Sequence, residues 1–116
     1  MTGSKIPLFP LSAVLFPGGH LPLRIFEQRY IDMIRECSLS GGCFGVCLAN
    51  HPEEAGRPAT HQRVGTTAEI CDFSTLEDGL LGIVARGRQR FSIQKTGMRD
   101  NGLLMAEVNI LADSAT

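Results

Sequence analysis

Aromatic side chains are scarce in this sequence: six phenylalanines, one tyrosine and no tryptophan among 116 residues. The stacking platform that single-stranded RNA needs is therefore missing. Charge of one sign is also lacking. Eleven Lys and Arg against twelve Asp and Glu give a formal net charge of -1, so no global basic field draws nucleic acid in and no acidic field repels it. The apolar runs are too short to span a bilayer. Met1 to Pro7 lacks the long apolar stretch of a secretory signal, and Pro7 and Pro10 would break an insertion helix. A cytoplasmic protein with no membrane partner is the expectation. Cys37, Cys43, Cys47 and Cys71 include no Cys-x-x-Cys pair. In the cytosol they should be reduced, and their apolar or small neighbours suit buried thiols that act as small hydrophobes.

Hydrophobic residues make up 43% and charged residues 20% of the chain, the balance of an ordinary globular protein. The length suits one domain, expected over residues 1–112, with a frayed tail at 113–116. Thirteen glycines and six prolines predict frequent turns and argue against a helical bundle. Ile6–Leu11 reads as a first strand, edge or irregular because Pro7 and Pro10 donate no ladder bond. Pro17-Gly18-Gly19 predicts a reversal, and His20–Ile25 a second strand with Pro22 as an edge signal. Tyr30, Ile31, Met33, Ile34 and Cys37 recur at helical spacing, so Glu27–Cys37 predicts a helix. Glu27 is expected in its first turn, where the dipole favours an anion, and Gly41-Gly42 after its end.

Cys43–Ala49 reads as a buried strand and His51–Arg63 as the longest loop. Val64–Phe73 and Leu80–Ala85 form a predicted hairpin around Glu77-Asp78-Gly79. Phe91–Lys95 and Leu103–Leu111 form another around Asp100-Asn101-Gly102. In the last strand Leu104, Ala106, Val108 and Ile110 share one face. Phe9, Phe16, Phe26, Tyr30 and Phe91 are all expected in the core. About seven short strands and one helix predict a mainly β fold, a closed or half-closed antiparallel barrel.

Several blocks, read in order, resemble one family. They are Ile6-Pro7-Leu8-Phe9-Pro10-Leu11, Val14-Leu15-Phe16-Pro17-Gly18, and Leu21-Pro22-Leu23-Arg24-Ile25-Phe26-Glu27 with Arg29-Tyr30. Val64-Gly65-Thr66-Thr67-Ala68-Glu69-Ile70, Leu76-Glu77-Asp78-Gly79, Gly87-Arg88-Gln89-Arg90-Phe91 and Ala106-Glu107-Val108 follow. Together they resemble the amino-terminal substrate-recognition domain of the Lon protease family, in its standalone form more than in the full protease. The resemblance implies an antiparallel pseudo-barrel similar to the PUA class, and a module that holds polypeptide substrate. It also implies a helical bundle after the barrel, which this sequence does not contain. No Gly-x-x-x-x-Gly-Lys-Ser/Thr phosphate loop occurs, nor the Ser/Lys pair of the family's proteolytic domain. No ATPase or protease activity is carried over, and neither cofactor nor metal is expected.

Candidate chemistry is sparse. Cys43, Cys47, His51 and His61 have the donor types of a zinc site, yet Cys43 and Cys47 on a strand stand roughly 13 Å apart. Cys47 or Cys71 with a histidine could form a thiolate–imidazolium pair, without any local signature. Arg86, Arg88 and Arg90 would share one face of a regular strand, unless Gly87, read as a bulge, disturbs the register; a solvated sheet face is the preferred reading and a basic stripe for RNA phosphates the alternative. Leu21, Leu23 and Ile25 share a strand face that is either buried or open as a groove for an extended apolar peptide. The expected partner-binding residues are Leu21, Leu23, Arg24, His51, Arg57, His61, Arg86, Arg88 and Arg90. The expected partners are unfolded or tagged polypeptides, with a second copy of the chain also considered and nucleic acid disfavoured.

Overall fold

Apolar residues on both faces of a strand can serve two cores at once, and that division organises this chain. The computed structural model describes residues 4–51 and 60–111. Its elements are β1 (Ser4–Leu11), β2 (His20–Ile25), α1 (Gln28–Ser40), β3 (Phe44–His51), β4 (Thr60–Thr75), β5 (Leu81–Met98) and β6 (Leu104–Ile110). β5 pairs with β4, β4 with β3, β3 with β1, β1 with β6, and β6 returns to β5, so five strands close a ring. β2 lies outside the ring, antiparallel to the first part of β5 from His20 opposite Arg86 to Ile25 opposite Leu81. The pairing of β1 with β3 is parallel; the others are antiparallel. No helix among the described residues is long and apolar enough to cross a membrane.

Two prolines explain how β1 sits in the ring. Ser4 to Pro7 pair with β6, and Leu8 to Leu11 pair with β3. Each half therefore has one unpaired side. Alternate residues of a strand point their N–H groups to opposite edges, so Pro7 and Pro10, three apart, miss donors on opposite edges. A strand that changes partner between them loses no ladder bond.

Ile6 and Leu8 of β1, Cys47 of β3, Phe91 and Ile93 of β5, and Ala106 and Val108 of β6 form one buried cluster. It draws on ring strands alone and fills the ring. Phe9, Phe44, Val46 and Ala68, on the other face of the same strands, join Ile25, Ile83 and Ala85 under Met33, Ile34 and Cys37 of α1. Gly45 and Gly65 make room for Phe91 between them. A Cβ on Gly45 would lie 2.7 Å from the Phe91 Cζ; on Gly65 it would lie 2.6 Å from that atom and 2.4 Å from the Val46 carbonyl oxygen.

The two strands expected over Leu80–Ala85 and Phe91–Lys95 are one continuous β5, which reduces the count to six. A bulge, not a break, separates the halves. Ala68 faces Gly87 while Thr66 faces Arg90, so β5 uses one residue more than β4 across that step. The extra residue turns the side chains that follow it, as far as the second register shift after Ile93, to the opposite face. Ile83 and Ala85 accordingly join the helix-side core, whereas Phe91 and Ile93 fill the ring. The Gln89 N–H donates to the Thr67 Oγ1 (3.0 Å), which donates back to the Gln89 carbonyl (3.3 Å). The Gly87 N–H bonds the Gly19 carbonyl at 2.9 Å and its carbonyl accepts from the Gly18 N–H at 2.8 Å. A Cβ on Gly87 would stand 2.2 Å from the Phe16 carbonyl oxygen.

The helix starts one residue later than expected. Glu27 is its N-cap and forms no capping bond; its carboxylate instead lies 3.0 Å from Arg29. The helix runs one turn beyond Cys37 to Ser40 before Gly41, at φ 71°, stops it. β4 begins at Thr60, with Ala49 opposite His61, so the end of the expected 51–63 loop is strand. Residues 52–59, Arg57 among them, and the tail at 113–116 lie outside the described residues.

Gly65→Ala is expected to destabilise the fold by about 1–3 kcal/mol through overpacking. Gly97→Ala is the control, since a Cβ there meets nothing within 4 Å. Urea midpoints of the two variants should diverge; equal midpoints would contradict the account of the ring's filling.

Candidate functional site

β1 and β6 part company after Pro7 opposite Met105, and a groove of about 610 Å³ opens where they diverge. Phe9, Leu11, Ile25, Tyr30 and Leu104 line it with apolar surface. The Phe9 and Tyr30 rings stack at 4.1 Å between centroids, which fixes part of the lining rigidly. Phe26 and Met98 also line the groove, with 68% and 60% of their surface exposed. Phe26 was expected in the core. It follows Ile25, the last inward residue of β2, and so points outward.

Polar groups surround this apolar lining: Arg24, Glu27, Arg29 and His61. Arg24 pairs with Asp78. Arg29 donates to the Gly102 carbonyl (2.9 Å) and its guanidinium lies 4.9 Å from the centre of the Tyr30 ring. It ties the start of α1 to the β5–β6 turn. Arg99 makes a second tie, reaching both Glu36 oxygens at 2.9 and 3.0 Å. Exposed pairs of this kind contribute little stability; their effect here is to hold the β5–β6 hairpin beside α1. The His61 Nδ1 lies 2.8 Å from the Gln62 carbonyl oxygen. A carbonyl only accepts, so Nδ1 carries the proton in that contact. The arrangement suits apolar side chains held by contact and oriented by a few polar groups.

The structure brings together two of the residues expected to meet a partner, Arg24 and His61, on this groove. Leu21 and Leu23 do not join them there; both are half-buried and pack against the helix-side core, the commoner fate of a shared apolar face. The backbone of His51 ends β3, and Arg57 lies outside the described residues. Phe9, Phe26, Tyr30, Met98 and Leu104 were not anticipated as site residues. For Phe26 a signal existed: it is out of phase with Leu21, Leu23 and Ile25.

Arg86, Arg88 and Arg90 do not form one stripe. Arg86 stands opposite Glu69, and Arg90 opposite Thr66; Thr66 and Glu69, three apart on an unbulged stretch of β4, face opposite ways. Glu69 lies 3.8 Å from Arg86 and 3.3 Å from Arg88, which offsets the charge these two would offer a phosphate backbone.

Burial, the largest cause, pushes the Cys47 thiol up to about 12 and the Cys37 thiol to about 11. Cys47 is therefore a neutral thiol at pH 7, the wrong state for a nucleophile. Among the described residues no three His, Cys, Asp or Glu side chains come together as a metal site.

The family described as the ATP-dependent protease La (LON) substrate-binding domain matches residues 5–116. The chain is 30% identical over 113 residues to a Lon protease of Cytophaga hutchinsonii, covering 95% of this chain and 14% of that protein. It is 34% identical to the protein cereblon of Danio rerio, covering 94% of this chain and 26% of the relative. It thus spans from a seventh to a quarter of these relatives' length. The solved Lon N-terminal domain protein from Xanthomonas campestris superposes with a TM-score of 0.81 at 41% identity, over 97% of this chain and 62% of that one. The N-terminal domain of the Mycobacterium avium complex Lon protease shares the fold, with a TM-score of 0.71 at 18% identity over 97% of this chain and 57% of that one.

The elevated thiols carry a signed prediction. Below pH 9 the Cys47 thiol is protonated in both folded and unfolded chains. Between pH 9 and about 12 the unfolded thiol ionises first, because its ordinary value is 9.0. Stability should therefore fall as pH rises through that window, by at most about 1.4 kcal/mol per pH unit for each such thiol. Urea unfolding at pH 8 to 11 checks this, with Cys47→Ala expected to lose stability less steeply with pH than the wild type.

Proposed function

Because this chain belongs to the LON substrate-binding domain family, we propose that it is a non-catalytic module that holds exposed apolar segments of polypeptide in the groove between β1, α1 and the β5–β6 hairpin. The observation that carries this reading is that Phe26 and Met98, both largely exposed, line the same groove as the stacked Phe9 and Tyr30. Solvent-exposed apolar side chains over a rigid apolar lining are a marker of a recognition surface. Contact with an extended chain would come from these side chains. Arg24 and His61 would orient it, and the segment bearing His51 and Arg57 would extend the contact region.

The reading requires weak, broad specificity. A groove lined by a flexible methionine and by aromatic faces accepts many apolar shapes. It gives no role to a cofactor or a metal, and a cytoplasmic setting rich in partly unfolded chains suits it.

Fluorescence anisotropy with a labelled, extended apolar peptide tests the proposal. Phe26→Ser and Met98→Glu should each weaken binding about tenfold, corresponding to about 1.4 kcal/mol. Leu39→Ser, which removes an exposed leucine that does not line the groove, should leave it unchanged. Wild-type affinity in both groove variants would overturn the assignment.

A further inference from the structure

The segment that walls the groove through Ser12 continues through Ala13 to Phe16 and walls a second pocket of about 60 Å³. Leu15, Val46, Leu48 and Val64 give it an apolar lining, and Thr66 and Arg90 are its polar groups. Thr66 is 4% exposed as a residue, and no hydrogen bond occupies its hydroxyl among the described residues; since no buried side-chain oxygen there lacks a partner, that hydroxyl is open to solvent. A hydroxyl open to solvent and bonded to no protein group is free to donate to an incoming oxygen. Arg24, Arg29, Arg86, Arg88 and Arg99 all lie against carboxylates. Among the described residues Arg90 has no such partner.

Arg90 reaches this pocket only because of the bulge in β5. In an unbroken strand it would share a face with Arg86 and Arg88. The extra residue turns it to the Thr66 side, and three sets of contacts hold it there. Thr67 clamps Gln89, the 16–19 turn grips Gly87, and the Leu111 N–H donates to the Arg90 carbonyl at 2.8 Å. Bulges commonly re-aim a side chain at a site.

We propose that this pocket binds the carboxyl terminus of a polypeptide that ends in a small aliphatic residue. The α-carboxylate lies against the Arg90 guanidinium, whose planar fork matches two carboxylate oxygens, and accepts from the Thr66 hydroxyl. The last side chain rests against Leu15, Val46 and Val64. A space equal to about two water volumes, at about 30 Å³ each, admits a methyl or isopropyl group and excludes an aromatic ring. The inference rests on the polypeptide-binding reading above and adds a preference for chain ends to it.

Two peptides separate the sites. The first has a polar body ending in Ala-Val, made as the free acid and as the amide. The second carries an internal apolar segment and an amidated end, and probes the groove. Calorimetric titration of the full chain should find the free acid at least tenfold tighter than its amide. R90Q should reduce the acid to the level of the amide, R90K should fall between, and Thr66→Val should weaken the acid severalfold. None of the three should alter binding of the groove probe. Arg90 is exposed, and thermal melts of R90Q and R90K should match wild type. Equal affinity for acid and amide, or an acid-to-amide ratio unchanged in R90Q, would overturn the chain-end site. The groove reading would then stand if the second peptide still binds and would fall if it does not.

Discussion

Phe91 standing between two glycines is the contact on which the remaining geometry depends. A closed ring of five strands has a narrow interior, and side chains must fill it without voids. Phe91 is fully buried there, and its ring tip occupies the space that side chains on Gly45 and Gly65 would need. That filling brings β3 and β4 close to β5 and determines which face of each strand is left for α1. The same closure makes β1 leave β6 after Pro7, because β3 takes its second half. The groove is the space left by that change of partner, so it follows from how the ring closes.

The bulge between Gly87 and Arg90 is the second determinant. Without it Phe91 would face the way Ala85 does, and the ring would lose its filling. One inserted residue therefore serves packing and surface chemistry together: it sends Phe91 inward and carries Arg90 to the Thr66 side. Its supports are local and polar, a buried threonine hydroxyl and the backbone of the 16–19 turn, which is why a short stretch of sequence specifies it.

Much of this was legible in the sequence, and what was not has a common cause. Alternation in Leu104–Ile110 correctly assigned the ring-facing side of β6, the helical spacing after Glu27 placed α1, and the glycines at 79 and 102 marked two turns. The ordered family blocks pointed to the fold and to the family. Phe16 and Phe26 were misplaced into the core because aromatic residues are usually buried, whereas these two stand 64% and 68% exposed. The arginine stripe failed because a register shift of one residue leaves little trace in composition; only Gly87 hinted at it. The groove drew on residues from β1, β2, α1 and the β5–β6 hairpin. Sequence patterns group neighbours along the chain, so they offered Arg24 and His61, which line the groove, without the aromatic lining between them.

The free strand edges bear on how a polypeptide can be held. β2 has β5 on one side only, and Pro22 within it has no N–H to offer an added strand. β4 beyond Ala68 has lost β3 as a partner, but a bulge near Cys71 interrupts it and the Asp72 Oδ1 takes the Phe73 N–H at 2.8 Å. Pro10 removes a donor from the half of β1 that walls the groove. Edges blunted in this way resist pairing with another chain, whether a second copy or an extended substrate. Backbone addition is thus disfavoured where it would be least selective, and under the proposed function recognition would fall to side chains: aromatic and thioether contact in the groove, with polar groups at its rim. That division would let a module of the proposed kind meet unfolded chains without itself becoming a template for their aggregation.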